Sequence, residues 1–156
     1  MKVPALLVIS VFIFNPGFSQ LAMNFTEADQ QGISISELDN TYKSGVHTDT
    51  SMAVFVDNQE EYLNSYNDLL RALGKYLSAN NFNWDKITSG FNRIYFAEDG
   101  SIDYFLYNFR SNQISQEKEE EFGKLLTQFI KDYKFPLTAK TGFAQCSPVR
   151  YMPAAK

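Results

Sequence analysis

One stretch of the chain, RIYFAEDGSIDYFLYNFR at residues 93–110, constrains the fold more than any other. Two apolar and aromatic runs flank an Asp-Gly pair, which is a strong short-range signal for a β-hairpin. Successive side chains of a strand point to opposite faces of the sheet, and the second run is aromatic on both faces. This strand is therefore buried on both sides, or one aromatic face is left exposed to a partner.

Two amphipathic helices are predicted, one before and one after the hairpin. The first begins near Asp57 or Asn58 and ends around residues 78–81. Its apolar positions, at steps of three and four, are Leu63, Tyr66, Leu70, Leu73 and Leu77, widened by Tyr62, Leu69 and Tyr76. The second helix begins at Ser115, a good N-cap, and stops before Pro136. Its apolar face comprises Phe122, Leu125, Leu126, Phe129, Ile130 and Tyr133.

Two further strands complete the predicted sheet. SMAVFV at 51–56 is a short apolar run typical of a buried strand, and GFAQCSPVRYM at 142–152 is a last strand, short or at an edge because of Pro148. The order strand, helix, strand, strand, helix, strand predicts a ferredoxin-like α+β domain over residues 51–156. Such a domain has a four-stranded antiparallel sheet with two helices on one face. Residues 20–50 are predicted to be an irregular lead-in, with a short edge strand in ISISEL.

The residues of the second hairpin strand form two alternating sets. We expect the set of Asp103, Phe105, Tyr107 and Phe109 to point away from the helices, because it begins with a charge and carries the larger aromatics. With Tyr95 and Arg93 of the first hairpin strand, Phe105, Tyr107 and Phe109 are the candidate binding residues. Their face is covered by residues 20–50, or it binds a partner or a second copy, or it holds an aromatic or lipid-like ligand.

The first 19 residues have the pattern of a cleaved secretory signal. Lys2 precedes the apolar run VPALLVISVFIF, which is too short to span a membrane comfortably. Gly17 and Ser19 occupy the −3 and −1 positions for cleavage before Gln20. We therefore expect an exported protein, periplasmic or extracellular, with no stable membrane insertion.

Charge and residue usage exclude several functions. The formal charge is −4, and the loss of Lys2 with the signal would make it −5, which is unfavourable for binding nucleic acid or an anionic membrane surface. His47 is the only histidine, and we interpret it as a loop residue. No phosphate-binding loop, dinucleotide fingerprint or metal-ligand spacing occurs in the sequence, so no cofactor and no metal are predicted.

The single cysteine, Cys146, is interpreted as a small buried apolar residue, with a reactive or intermolecular thiol as the alternative.

The second half of the chain resembles the C-terminal domain of TonB-like proteins. The resemblance rests on the hairpin RIYFAEDGSIDYFLYNF, the helix at 116–133, the segment KFPLTAKTG and the last strand, covering about residues 90–152. It implies a binding module of the cell envelope. The Tyr-Pro start and the Pro-rich linker of that family are absent from this sequence.

We therefore predict an exported, non-catalytic module that binds a protein, a peptide or its own copy through the aromatic sheet face or an edge strand. One alternative is a carrier of a hydrophobic small molecule. The other is a small secreted hydrolase that uses Glu98, Asp103 or His47, and it requires these three groups to converge on one cleft.

Overall fold

The computed structural model describes residues 20–153, so the predicted signal peptide lies outside the described residues. These residues form a five-stranded mixed sheet with four α-helices. The strands are β1 (Leu21–Asn24), β2 (Lys43–Ser44), β3 (Thr88–Phe96), β4 (Ile102–Phe109) and β5 (Phe143–Tyr151). The helices are α1 (Phe25–Gln30), α2 (Ile35–Thr41), α3 (Gln59–Ala79) and α4 (Gln116–Asp132), with a short 3₁₀ turn at Thr50–Met52.

The strands lie in the order β1-β4-β3-β5-β2. The central strand β3 pairs antiparallel with β4 and with β5, whereas β1 pairs parallel with β4 and β2 pairs parallel with β5. The predicted α+β class is confirmed. The expected four-stranded antiparallel sheet is wrong in detail, because three antiparallel strands are extended at both edges by short parallel strands from the N-terminal segment.

The predicted hairpin is confirmed as β3 and β4. Gly100 has φ of 85°, and a Cβ atom there would clash with the carbonyl oxygen of Phe135. The Asp99 carboxylate accepts from the backbone N–H of Ser101 at 3.0 Å and from its hydroxyl at 2.6 Å. The Asp-Gly pair therefore supplies both the turn conformation and its side-chain bond.

A β-bulge interrupts the hairpin ladder near the turn. Tyr95 pairs with Tyr104, but the next residue, Phe96, pairs with Ile102, so Asp103 has no partner on β3. A bulge of this kind shifts the alternation of side chains along its strand. Ile102 and Phe105 therefore pack into the same core cluster although they are three residues apart.

The helices α3 and α4 cover one face of the sheet and enclose the larger core. Both predicted helices are confirmed, and the Ser115 hydroxyl accepts from the backbone N–H of Lys118 at α4. The buried stripe of α3 differs slightly from the predicted one, because Leu63 is 42% exposed while Tyr62 is fully buried. The Tyr62 ring packs on Phe55 and its hydroxyl donates to the Ala144 carbonyl, so this residue sets the rotation of the helix.

The N-terminal segment is more regular than predicted. ISISEL lies largely within α2 and is not a strand, because the Ser34 hydroxyl accepts from the backbone N–H of Glu37 and caps a helix. The predicted strand at 51–56 is also wrong. Asp49 accepts from Ser51 and starts a 3₁₀ turn there, and only Ala53 makes an isolated bridge, to Ser44.

Candidate functional site

The aromatic residues expected on an outward face lie in the main core. Phe105, Tyr107 and Phe109 are buried against the helices, where Phe122 of α4 packs 5.0 Å from Tyr107 and 5.3 Å from Phe109 between ring centroids. The expected orientation of the Asp103 set is therefore wrong. The charge of Asp103 does not indicate the orientation of Phe105, Tyr107 and Phe109. Asp103 occupies the bulge, and its side chain therefore lies on the opposite face of the sheet from theirs.

The remaining two candidates lie on the second face of the sheet, which the N-terminal segment partly covers. Tyr95 is fully buried there with Leu106 and Ala144, beneath Met23 and Ala28 of the segment. The N-terminal residues therefore cover part of one face of the aromatic strand, as one of the three interpretations predicts, but this face carries Tyr104 and Leu106 and not the set of Phe105.

Reciprocal polar contacts attach this cover to the sheet. The Tyr95 hydroxyl donates to Asp39 of α2 at 2.8 Å, and Arg93 donates to both Asp39 oxygens at 2.6 and 2.8 Å. In the opposite sense, the Tyr42 hydroxyl of the segment donates to Asp103 of β4 at 2.8 Å. Burial raises the pKa of the Tyr42 and Tyr95 phenols, and burial also raises the pKa of the Asp103 carboxyl despite its bond from Tyr42.

The cover ends part-way along β5, and the rest of that strand forms an open edge. β2 pairs only with Phe143 and Ala144, so residues 145–151 have no strand partner on their outer side within residues 20–153. Pro148 lies in this part of the strand. The prediction of a last strand that is short or at an edge is confirmed only in part, because β5 has nine residues and lies between β3 and β2, and only its residues from 145 onward are an edge.

The direction of the backbone groups on this edge follows from two hydrogen bonds. The carbonyl oxygens of Gly142 and Ala144 accept from β2 and its flank, so the even-numbered residues direct their backbone groups outward. The β3–β5 register runs without a shift to Tyr151, and the alternation therefore continues. Cys146 and Arg150 direct N–H and C=O groups outward, and Pro148 directs only its C=O, because proline has no N–H.

An apolar groove runs beside the open edge, between β5 and α3. Its volume is about 720 Å³, and its lining includes Tyr66, Leu70, Trp84, Val149 and Tyr151. Trp84, the only tryptophan of the chain, stacks on Tyr151 with ring centroids 4.6 Å apart. The connector residues Phe82 and Trp84 are both buried.

A second, polar cleft of about 630 Å³ lies on the other side of β5, where the cover ends. It brings together three residues singled out in the sequence, His47, Arg93 and Cys146. Cys146 is exposed, so its interpretation as a buried residue is wrong, and Arg93 donates to its Sγ atom at 3.7 Å. Although the residue as a whole is exposed, partial desolvation of its sulfur atom raises the pKa of the thiol, and the positive charge of Arg93 opposes this effect only in part.

The three hydrolase candidates do not meet in one cleft. Glu98 and Asp103 line a surface cleft of about 580 Å³ beside the hairpin, whereas His47 lines the polar cleft near β2. The His47 Nδ1 atom accepts from the backbone N–H of Asp49 at 3.0 Å. Among residues 20–153, no group of three or more His, Cys, Asp or Glu side chains is placed to hold a metal ion.

Comparison with known proteins finds no matching family model, no similar curated protein and no similar solved structure. The resemblance of residues 90–152 to TonB-like domains therefore stays a prediction. In the described part of the chain, no helix combines the length and the apolar character that a membrane span requires.

The edge and its groove include residues that the sequence analysis did not select, above all Trp84, Arg150 and Tyr151. A local signal for them existed, because a proline inside an apolar strand pattern marks a strand with one unpaired side. The groove itself depends on how α3 lies against β5, and no local pattern predicts that arrangement.

Proposed function

We propose that this chain is an exported, non-catalytic binding module that takes up an extended segment of a partner protein or peptide at the open edge of β5. The observation that carries this proposal is the unpaired run at 145–151, whose outward backbone groups lie beside an apolar groove. A bound strand would supply main-chain hydrogen bonds to Cys146 and Arg150 and place alternate side chains in the groove. Of the two contact surfaces predicted from the sequence, the aromatic sheet face and an edge strand, the proposal keeps the edge strand.

The edge is less suited to pairing with a second copy. Pro148 removes the central outward donor, and Arg150 would place a charge along the shared edge in each copy, two devices by which sheet edges resist association. Light scattering after size exclusion at two concentrations, with and without reductant, tests this expectation. We expect a monomer in all four conditions; a dimer lost on reduction would assign a role to Cys146.

The decisive experiment uses two substitutions at one position. Peptides of random sequence are selected on the wild-type protein, and their affinities are measured for Cys146→Pro and Cys146→Ala. Both variants lose the thiol, but only the proline removes an outward N–H, which the β3 ladder does not use. We expect the proline variant to bind at least about five-fold more weakly, since a lost hydrogen bond and an unpaired partner group together cost about 1–3 kcal/mol. Equal binding by both variants would exclude strand addition at this edge.

Amide hydrogen exchange checks the assignment of the edge directly. In the free protein, the amides of Cys146 and Arg150 should exchange rapidly, while those of Ser147 and Val149, which point towards β3, should be protected. Bound peptide should protect Cys146 and Arg150 selectively. A peptide that protects neither amide would bind elsewhere.

The groove also favours one alternative, a carrier of a hydrophobic small molecule. Its lining is largely aromatic and aliphatic, although it is open along one side. Mass spectrometry of an organic extract of the purified protein tests this function. A stoichiometric lipid-like compound would support the carrier, and its displacement by peptide would show that both use the same groove.

The proposed export is tested separately. Sequencing of the mature N-terminus from periplasmic and culture fractions should give a chain that begins at Gln20. A chain that retains Met1 in the cytoplasmic fraction would contradict the proposed localisation.

A further inference from the structure

The charge on the open edge of β5 defines the chemistry of its ligand. We infer that the open edge selects an extended segment in which apolar residues alternate with others and an acidic residue lies opposite Arg150; this inference rests on the proposed function. A peptide of this composition fits three separate features of the site. These are the positive charge of Arg150, the alternation of side chains along β5 and the missing N–H donor at Pro148.

The groove differs in charge from the protein as a whole. The chain carries 18 acidic and 14 basic residues, yet among residues 20–153 the only charged residues along the groove are Arg71 and Arg150, and the Arg150 side chain projects from the open edge on the opposite face of β5. Arg71 is paired with Asp68 on the exposed face of α3. Arg150 is exposed and forms no ion pair with any residue in the range 20–153. Arg150 is therefore the cation that a ligand can pair with at the lowest cost.

The alternation of β5 decides which ligand residues meet which surface. The side chains of Ser147 and Tyr151 point towards the helices, since Tyr66 bonds to the Ser147 hydroxyl and Tyr151 packs on Trp84. Side chains of an added strand opposite Ser147, Val149 and Tyr151 would point the same way, into the groove. The side chain opposite Arg150 would lie on the other face, beside the guanidinium group, where a carboxylate forms a cross-strand ion pair.

Pro148 determines which backbone contacts a ligand can make. Its outward position offers an acceptor but no donor, so the ligand residue opposite it can donate one hydrogen bond and receives none. The ligand is therefore held by two hydrogen-bonded positions, at Cys146 and Arg150, on either side of a weaker one. The backbone carbonyl of the ligand residue opposite Pro148 receives no hydrogen bond from β5. A small residue, which leaves this carbonyl accessible to water, fits that position best.

The test uses three synthetic peptides with blocked ends. The first has the sequence Gly-Ser-Leu-Glu-Leu-Ser-Leu-Ser-Gly, and the others replace Glu by Gln or by Lys; a reversed set covers the opposite strand direction. Binding is followed by the fluorescence of Trp84, the only tryptophan of the chain. We expect affinities in the order Glu, Gln, Lys, with about three-fold between Glu and Gln at low salt, as expected for a cross-strand pair.

The Arg150→Gln variant completes the design. In this variant the Glu and Gln peptides should bind equally, while the affinity for the Gln peptide should match that of wild type. If the wild-type protein binds all three peptides equally, charge selection by Arg150 is wrong, although strand addition can still be correct. If no peptide binds and Cys146→Pro behaves as wild type with selected peptides, the proposed function itself fails. Laurate is titrated in parallel, and Arg150-dependent binding of laurate without peptide binding would overturn the inference in favour of a long-chain carboxylate.

Discussion

The two faces of the sheet are built in different ways. On the helix face, α3 and α4 bury a continuous cluster of 20 residues, among them nine phenylalanines and the rings of Tyr62, Tyr66 and Trp84. On the second face, a cover of two short helices buries only five residues fully and is attached by contacts from Tyr42 and Arg93. The cover also ends before β5 does, so the same strand is closed at one end and open at the other.

The two faces therefore contribute differently, since one forms the main core and the other borders the open edge. The helix face is closed mainly by packing between residues distant in sequence. The second face depends on a thin cover and a few hydrogen bonds, and it borders the open edge. Segments with few buried contacts open locally at lower free energy than the core, and binding surfaces are often drawn from them.

The largest expected effect compares two neighbouring residues of β4. Phe105 and Leu106 are both fully buried, but Phe105 packs in the helix-face cluster and Leu106 under the cover. We expect Phe105→Ala to lower the free energy of unfolding by about 4 kcal/mol and Leu106→Ala by about 2 kcal/mol, because the thin cover can collapse onto the space left behind. Urea denaturation measures both. An equal or larger loss for Leu106→Ala would show that the two faces contribute alike.

Two glycines with positive φ extend the comparison. A Cβ atom at Gly100 would clash with backbone beside the main core, whereas at Gly32, in the cover, no heavy atom lies within 4 Å. Gly32→Ala should cost about 1 kcal/mol, the penalty of the left-handed conformation alone, and Gly100→Ala more than about 2 kcal/mol. Thermal unfolding of both variants measures the difference. Similar costs would mean that the hairpin turn can move away from Phe135.

A third prediction concerns the attachment of the cover. Asp39→Ala removes the acceptor of Tyr95 and Arg93, leaves the hydroxyl of a buried tyrosine without that bond, and should cost about 1–2 kcal/mol. Hydrogen exchange should become faster in residues 25–41 and stay unchanged in α4. Asp85→Ala is the matched control, because the Asp85 side chain is exposed and its ion pair with Lys118 should contribute less than about 0.5 kcal/mol. Faster exchange throughout the sheet would contradict a local role.

The smallest effect is expected at Asp103. Burial raises its pKa, so the folded protein takes up a proton more readily than the unfolded chain, and its charge opposes folding at neutral pH. Asp103→Asn keeps an acceptor for Tyr42 and should stabilise the protein at pH 7 by less than about 1 kcal/mol, since the site is partly solvated. The advantage should shrink as pH falls through the raised pKa of the wild-type carboxyl. A stability advantage of the variant that grows on acidification would contradict the raised pKa of Asp103.

The parts of the fold that could be predicted are those with local signals. The turn at Gly100, the N-cap at Ser115 and the edge position of Pro148 each follow from residues within a few positions of one another. The short strands β1 and β2 could not be predicted, because they are parallel additions to distant strands and too short to show a pattern. The outward face was assigned incorrectly for a related reason, because the bulge at Asp103 is visible only in the register of two strands.

The parallel pairing of the N-terminal segment also has a consequence for the order of folding. Leu21 pairs with Tyr104 and Lys43 pairs with Phe143. Both edge strands therefore pair with strands that are synthesised much later. Contacts between residues so far apart in sequence carry a large loop-closure entropy and slow folding. A chain that emerges N-terminus first therefore cannot close its sheet until almost all of it has been made.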